Sequence, residues 1–301
     1  MEIKVEKNPK STLKLTITVE KEKVSDAYNS VVTKFVEEAE LPGFRKGKAP
    51  KDTVMKNTDI SKIHGEVINE LLQTYYVQAV REKHVSAISS PKIEINEFEL
   101  EKDFTFTATV AVKPEIKIGA YKNTLKKLQK EKTEQAEKEV KKTNEERLKK
   151  GEKLEEAHVH LTVDEIIGAI LDVTEIEVAD VLIEEETDRM IARLIDQAQT
   201  IGMSLEQYLH AQNKSGEELR KEYAKIAERN IKAEFALNQL IEDEKVEIPE
   251  TEIDAAISAA GDPETVQKLQ EPGQRWYIKT ILAKNKLLQK LIEEAEGEKH
   301  A

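Results

Sequence analysis

Cysteine is absent from the sequence, so neither a disulfide nor a thiolate metal site is available to the chain. Aromatic residues are scarce, at 5%, and none lies between Tyr121 and Tyr208. No stretch approaches the ~18 apolar residues of a membrane span, which argues against a membrane partner. Residues 1–7 alternate charge and hold no apolar run, unlike a secretory signal; a cytoplasmic location is expected. What the chain has in excess is charge. Charged residues make up 35%, against about 25% in an ordinary globular protein. At 301 residues the chain is long enough for two domains. So much charge and so few aromatics leave ample surface and little to fill a thick core. That balance points to an elongated, helix-rich multidomain molecule rather than a compact enzyme.

The net charge of −12 is unevenly spread. Residues 1–120 carry 19 bases and 19 acids, whereas residues 180–301 carry 16 bases and 26 acids. A neutral front and an acidic back suggest two different jobs, and the back half is not expected to bind DNA or other nucleic acid.

Leu13, Leu15, Ile17 and Val19 alternate with polar partners, which predicts a half-buried strand over 11–19. Val24, Ala27, Tyr28, Val31, Phe35, Val36 and Ala39 then form one helical stripe that stops before Pro42. Residues 41–50 read as a loop, and Pro50 suits the first position of a new helix. The spacing of Ile60, Ile63, Val67, Leu71, Tyr75 and Ala79 predicts a helix over 59–83, followed by strands over 92–98 and 103–113. The front of the chain is therefore an α+β domain. Residues 122–157 are mostly Lys, Glu, Gln and Thr. They suit a solvated helix of roughly 50 Å packed at a few points, or a partly disordered linker. Everything after about 161 is helical in pattern, with helices near 163–171, 180–201, 215–243, 249–260 and 274–294. The expected fold class is thus an α+β amino-terminal domain, a charged helical linker and an all-α carboxy-terminal domain.

The most specific segment is Leu41-Pro42-Gly43-Phe44-Arg45-Lys46-Gly47-Lys48-Ala49-Pro50. Pro42-Gly43 and Gly47 permit tight turns. Phe44 is hard to bury in so short a loop, and Arg45, Lys46, Lys48 and Lys51 face no acid within 41–51. One reading is an exposed aromatic flanked by cations, suited to a surface of RNA and protein. The other is an interhelical turn with solubilising lysines and Phe44 folded back. A phosphate-binding loop does not fit, because the glycine spacing is one residue short and Ala49 stands where Ser or Thr follows the Lys. His158 and His160 lie two apart without a third ligand nearby, so no metal site is expected.

Gly43-Phe44-Arg45-Lys46-Gly47-Lys48-Ala49-Pro50 resembles the signature of the trigger factor family, Gly-Phe-Arg-x-Gly-x-x-Pro, at every fixed position. Residues 110–116 resemble that family's closing strand, and residues 174–186 its carboxy-terminal domain, with Ala179 where the family usually has Pro. The resemblance implies a ribosome-associated, ATP-independent chaperone whose tip residues dock beside the polypeptide exit tunnel, on a ribosomal protein and ribosomal RNA. It implies Gly43, Phe44, Arg45, Lys46, Gly47, Lys48 and Pro50 as ribosome-binding residues, and unfolded or nascent polypeptides as clients. No cofactor is implied. Ties to protein transport and cell division, and weak association into a homodimer off the ribosome, are further expectations of the same kind. The family usually carries an isomerase domain of about a hundred residues in mid-chain. Here only some sixty residues, rich in charge and holding Tyr121 as their one aromatic, separate Pro114 from Glu175, too few and too polar for a proline pocket. The expected layout is a ribosome-binding domain over 1–120, a charged helical linker over 121–160 and a client-binding helical domain over 161–301. A free cytosolic holdase with a vestigial loop, and an RNA-binding module without chaperone activity, are the competing readings.

Overall fold

The structure, a computed structural model, describes residues 1–150 and 159–297. The elements begin with β1 (Glu2–Asn8), β2 (Thr12–Val19), α1 (Lys21–Glu38), α2 (Lys51–Asn57), α3 (Ile60–Glu82), β3 (Lys92–Glu97) and β4 (Phe104–Ala111). Next come β5 (Ile116–Ile118), α4 (Tyr121–Lys150), α5 (Val163–Leu171) and β6 (Thr174–Ile176). The remainder is α6 (Asp180–Thr200), α7 (Leu205–Ala211), α8 (Gly216–Asp243), α9 (Glu250–Ser258), α10 (Pro263–Leu269) and α11 (Pro272–Glu296). Two compact units divide these elements. One joins Met1–Pro114 to Glu177–Ser215, and the other joins Glu115–Ile176 to Gly216–Ala301. The divisions at 120 and 160 drawn from composition do not coincide with these units, since each unit is assembled from two separate stretches of chain.

The first unit is built on an antiparallel sheet in the order β1-β2-β4-β3. Register places Leu15 opposite Ala108, Ile17 opposite Phe106 and Val19 opposite Phe104. Together with Val110 these side chains form one fully buried face. Helices α1 and α3 cover it with Val24, Val31, Val32, Ile63, Val67, Leu71 and Ala79. Each large side chain so buried contributes roughly 1.5–3 kcal/mol, so this sheet and helix pair anchors everything attached to it. Segment 177–215 joins this unit, with α6 lying against β4.

Strand β1 departs from the sequence reading, which started the first strand at 11. Six of its seven residues are exposed, and the charged Glu2, Lys4 and Glu6 leave too little apolar alternation to signal a strand. Such charges are typical of a sheet edge guarded against unwanted pairing. Pro50 is also one place earlier than expected. It caps α2 rather than opening it, and its carbonyl accepts the N–H groups of Thr53 and Val54.

The second unit is helical except for a two-stranded antiparallel ribbon, β5 with β6. This ribbon corrects the reading of everything after 161 as helical; three-residue strands are too short to show a period. Gly119 closes the ribbon, because a Cβ there would stand 2.9 Å from the Val173 carbonyl oxygen, which accepts the Gly119 N–H. Helix α4 is the charged segment, and Leu125 and Leu128 carry its apolar contacts. They join Ile166, Ile170, Leu237, Leu240, Leu287 and Leu291 of α5, α8 and α11 in one core cluster. Stretch 151–158 of the expected linker, His158 included, lies outside the described residues. A smaller cluster of Ile248, Ile253, Ile257 and Ala283 ties α9 to α11.

A charge cluster fastens α4 at its start. The Glu244 carboxylate accepts hydrogen bonds from the Tyr121 hydroxyl at 2.7 Å, from Lys122 Nζ at 2.7 Å and from Lys290 Nζ. Glu294 adds a second partner for Lys122 at 3.1 Å. Lys122, then Lys290 and Tyr121, hold the Glu244 carboxyl down at about 2. Burial and the Glu244 hydrogen bond push the Tyr121 hydroxyl up.

Candidate functional site

The loop between α1 and α2 is shaped by three backbone hydrogen bonds. Gly47 N–H donates to the Ala39 carbonyl at 3.2 Å and closes the base. Phe44 N–H donates to Leu41 and Lys48 N–H to Arg45, at 3.0 and 2.9 Å, making two successive turns. Gly43 and Gly47 are the third residues of those turns, with φ of +88° and +72°. Positive φ is costly for any residue with a Cβ. At Gly47 there is a second reason. A Cβ there would meet the Glu37 carbonyl oxygen at 2.6 Å, while one at Gly43 would meet nothing within 4 Å. The glycines therefore have different tasks: Gly43 turns the chain, and Gly47 lets the loop lie against the end of α1.

This backbone presents Phe44 to solvent with 44% of its surface exposed. Phe44 is not among the side chains packed into the core of its unit. Pro42, Arg45, Lys46 and Lys48 are exposed beside it, whereas Ala49 is buried and pins the exit of the loop before Pro50. Lys46 pairs with Glu40 at 3.2 Å, and both side chains are largely exposed. Such a pair is worth little and exchanges readily for another partner. Among the described residues, Arg45 and Lys48 have no carboxylate partner. Gly43, Phe44, Arg45, Lys46, Gly47, Lys48 and Pro50 thus come together on one short segment, with an exposed ring and cations at its tip.

A second exposed feature escaped the sequence reading. Trp276 and Tyr277, on the first turns of α11, are 68% and 58% exposed. Ile281, one turn beyond Tyr277, is 39% exposed. Ile278 and Leu282 turn the other way, into the small cluster with Ile253 and Ile257. The available signal was compositional: the single Trp of the chain sits beside a Tyr and off the apolar stripe.

Among the described residues, no group of three His, Asp or Glu side chains is arranged to hold a metal ion. His160 is paired with Glu296 at 2.7 Å. Among the same residues, no helix is long and apolar enough to cross a membrane.

An α+β domain carrying a projecting aromatic and basic loop, combined with a helical second unit, is the class that this fold and this loop define. The family model described as bacterial trigger factor protein matches residues 1–147, and that described as the bacterial trigger factor protein C-terminus matches residues 122–293. The chain belongs to the trigger factor family. The two matches overlap over 122–147, so no segment lies between them for an isomerase domain, and the chain is a member lacking it. The trigger factor of Desulforamulus reducens is 38% identical over 122 residues, covering 40% of this chain and 28% of that protein. The trigger factor of Staphylococcus epidermidis is 36% identical over 108 residues, covering 36% of this chain and 25% of that one. The chain thus spans about a quarter of the length of these curated relatives. A solved structure described under promiscuous substrate recognition in folding and assembly activities of the trigger factor chaperone superposes with a TM-score of 0.61. It covers 98% of this chain and 100% of that one at 13% identity, a likeness of fold.

Proposed function

We propose that this chain is an ATP-independent cytoplasmic chaperone. It docks at the ribosomal exit tunnel through residues 43–50 and holds emerging polypeptide on its helical surfaces. In this reading residues 1–120 bind the ribosome, residues 121–160 stand where relatives carry an isomerase domain, and residues 161–301 meet the client.

The observation that carries the proposal is Phe44, held in solvent by a loop that Gly43 and Gly47 shape and that matches the family signature. Burying a ring of this size against a partner stabilises a complex by roughly 1.5–3 kcal/mol. Arg45 can make paired hydrogen bonds to a carboxylate or phosphate, which a lysine does not reproduce. Lys46 and Lys48 add a salt-screened attraction to RNA. For the client, Trp276, Tyr277 and Ile281 offer an exposed apolar spot, with Arg275 and Lys279 next to it in sequence. Isolated spots of that kind bind weakly and adaptably, which suits a client released without nucleotide hydrolysis.

The test is suppression of aggregation of a chemically unfolded model protein by the full chain, with no nucleotide present. Suppression is expected for the wild type and for a variant with Phe44, Arg45 and Lys46 replaced by alanine. It should weaken in Trp276→Ala/Tyr277→Ala. Equal aggregation with and without the wild-type chain would overturn the chaperone reading.

A further inference from the structure

Three polar contacts join segments of the first unit that are distant in sequence. Lys10 Nζ meets Asp180 Oδ1 at 2.6 Å, and Lys92 Nζ meets Glu184 Oε2 at 3.1 Å. The Ser90 N–H donates to Glu185 Oε1 at 3.0 Å. The three acids stand in the first two turns of α6. Their partners come from opposite edges of the sheet: Lys10 from the β1–β2 hairpin, where Lys10 and Ser11 adopt left-handed φ, and Ser90 and Lys92 from the entry to β3. Both ion pairs are about half exposed. The other face of β4 is Thr105, Thr107, Thr109 and Ala111, of which Thr107 and Ala111 are buried, opposite the Phe104, Phe106, Ala108 and Val110 face. These small side chains, with Val178, Ala179 and Thr187 buried at the start of α6, remove less apolar area from water than the Phe, Leu and Ile side chains under α1 and α3, so α6 is held less firmly.

We propose that these contacts form a releasable clasp, which holds the α6–α7 hairpin on the sheet at low ionic strength and lets it swing away when the charges are screened or matched by competing ions. Exposed pairs are weak singly and lose most of their attraction once the Debye length falls to a few ångströms. Opening separates Asp180 and Glu184 from Lys10 and Lys92 and frees the hairpin, with its exposed Ile201, to reach other partners. The clasp thus couples the state of Lys10 and Lys92 to the mobility of a helical hairpin whose acids lie 170 and 92 residues away in sequence.

The absence of native cysteine permits a clean test on the full chain. Spin labels on Glu6→Cys and Arg193→Cys report one distance by electron–electron resonance. A narrow distribution is expected at about 0.05 M salt, broadening by about 0.5 M, where the Debye length is ~4 Å. Asp180→Lys/Glu184→Lys should be broad already at low salt. Adding Lys10→Glu/Lys92→Glu, which restores opposite charges with the signs exchanged, should recover the narrow distribution. A narrow distribution in Asp180→Lys/Glu184→Lys alone, or no recovery when Lys10→Glu/Lys92→Glu is added, would overturn the clasp. Unchanged circular dichroism across the variants excludes unfolding as the cause.

Discussion

A Cβ at Gly47 would stand 2.6 Å from the carbonyl oxygen of Glu37, closer than folded chains tolerate. The loop between α1 and α2 therefore depends on a contact that spans ten positions and involves no side chain. Gly43, at a similar φ, has open space around it.

This contrast separates two substitutions that look alike in sequence. Gly43→Ala carries only the cost of left-handed backbone, on the order of 1 kcal/mol. Gly47→Ala adds a steric clash and must shift the loop or the end of α1. Thermal unfolding should fall by about 2–4 °C for the first and further for the second. Equal losses would show that the Gly47 contact is not a constraint.

The Glu244 cluster makes a prediction in acid. Its carboxyl lies at about 2, below the ordinary 4.5, chiefly because Lys122 hydrogen bonds to it. A depressed carboxyl adds stability that is fully present above pH 4.5 and is lost as pH falls toward 2. Glu244→Gln keeps an acceptor but removes the charge that Lys122 and Lys290 share. It should destabilise the second unit by about 1 kcal/mol at pH 7, with the difference from wild type shrinking between pH 4.5 and 2. Melting curves at pH 7, 4.5 and 2.5 measure this. A constant difference across that range would contradict the assignment.

The matches leave no stretch for an isomerase domain. A protease-coupled proline peptide assay should accordingly return the uncatalysed rate, with a time constant of about 10–100 s. Clear acceleration at micromolar protein would point to a proline-binding site elsewhere in the chain.

Much of the fold was legible where burial is one-sided and elements are long. Strand β2, strand β4 and helix α3 each bury a regular face, so Ile17, Phe106 and Val67 could be placed from spacing alone. Strand β1 was not legible because an edge strand buries almost nothing, and β5 and β6 are too short to show a period. The loop residues were legible through their motif, but not the reason for Gly47, which lies in the approach of Glu37. Nor could spacing foretell that Ile281 stays exposed beside Trp276, or that Asp180 reaches Lys10. Those relations depend on packing between distant segments, to which a periodic pattern is blind.

Sedimentation with purified ribosomes tests the proposed docking role of residues 43–50 most directly. Wild type and Phe44→Ala/Arg45→Ala/Lys46→Ala are titrated against ribosomes at fixed salt and the bound fraction is read in the pellet. The triple variant is expected to bind at least tenfold more weakly, about 1.4 kcal/mol, with its melting temperature and aggregation suppression unchanged. A triple variant that pellets like wild type would mean that the loop is only a turn between two helices.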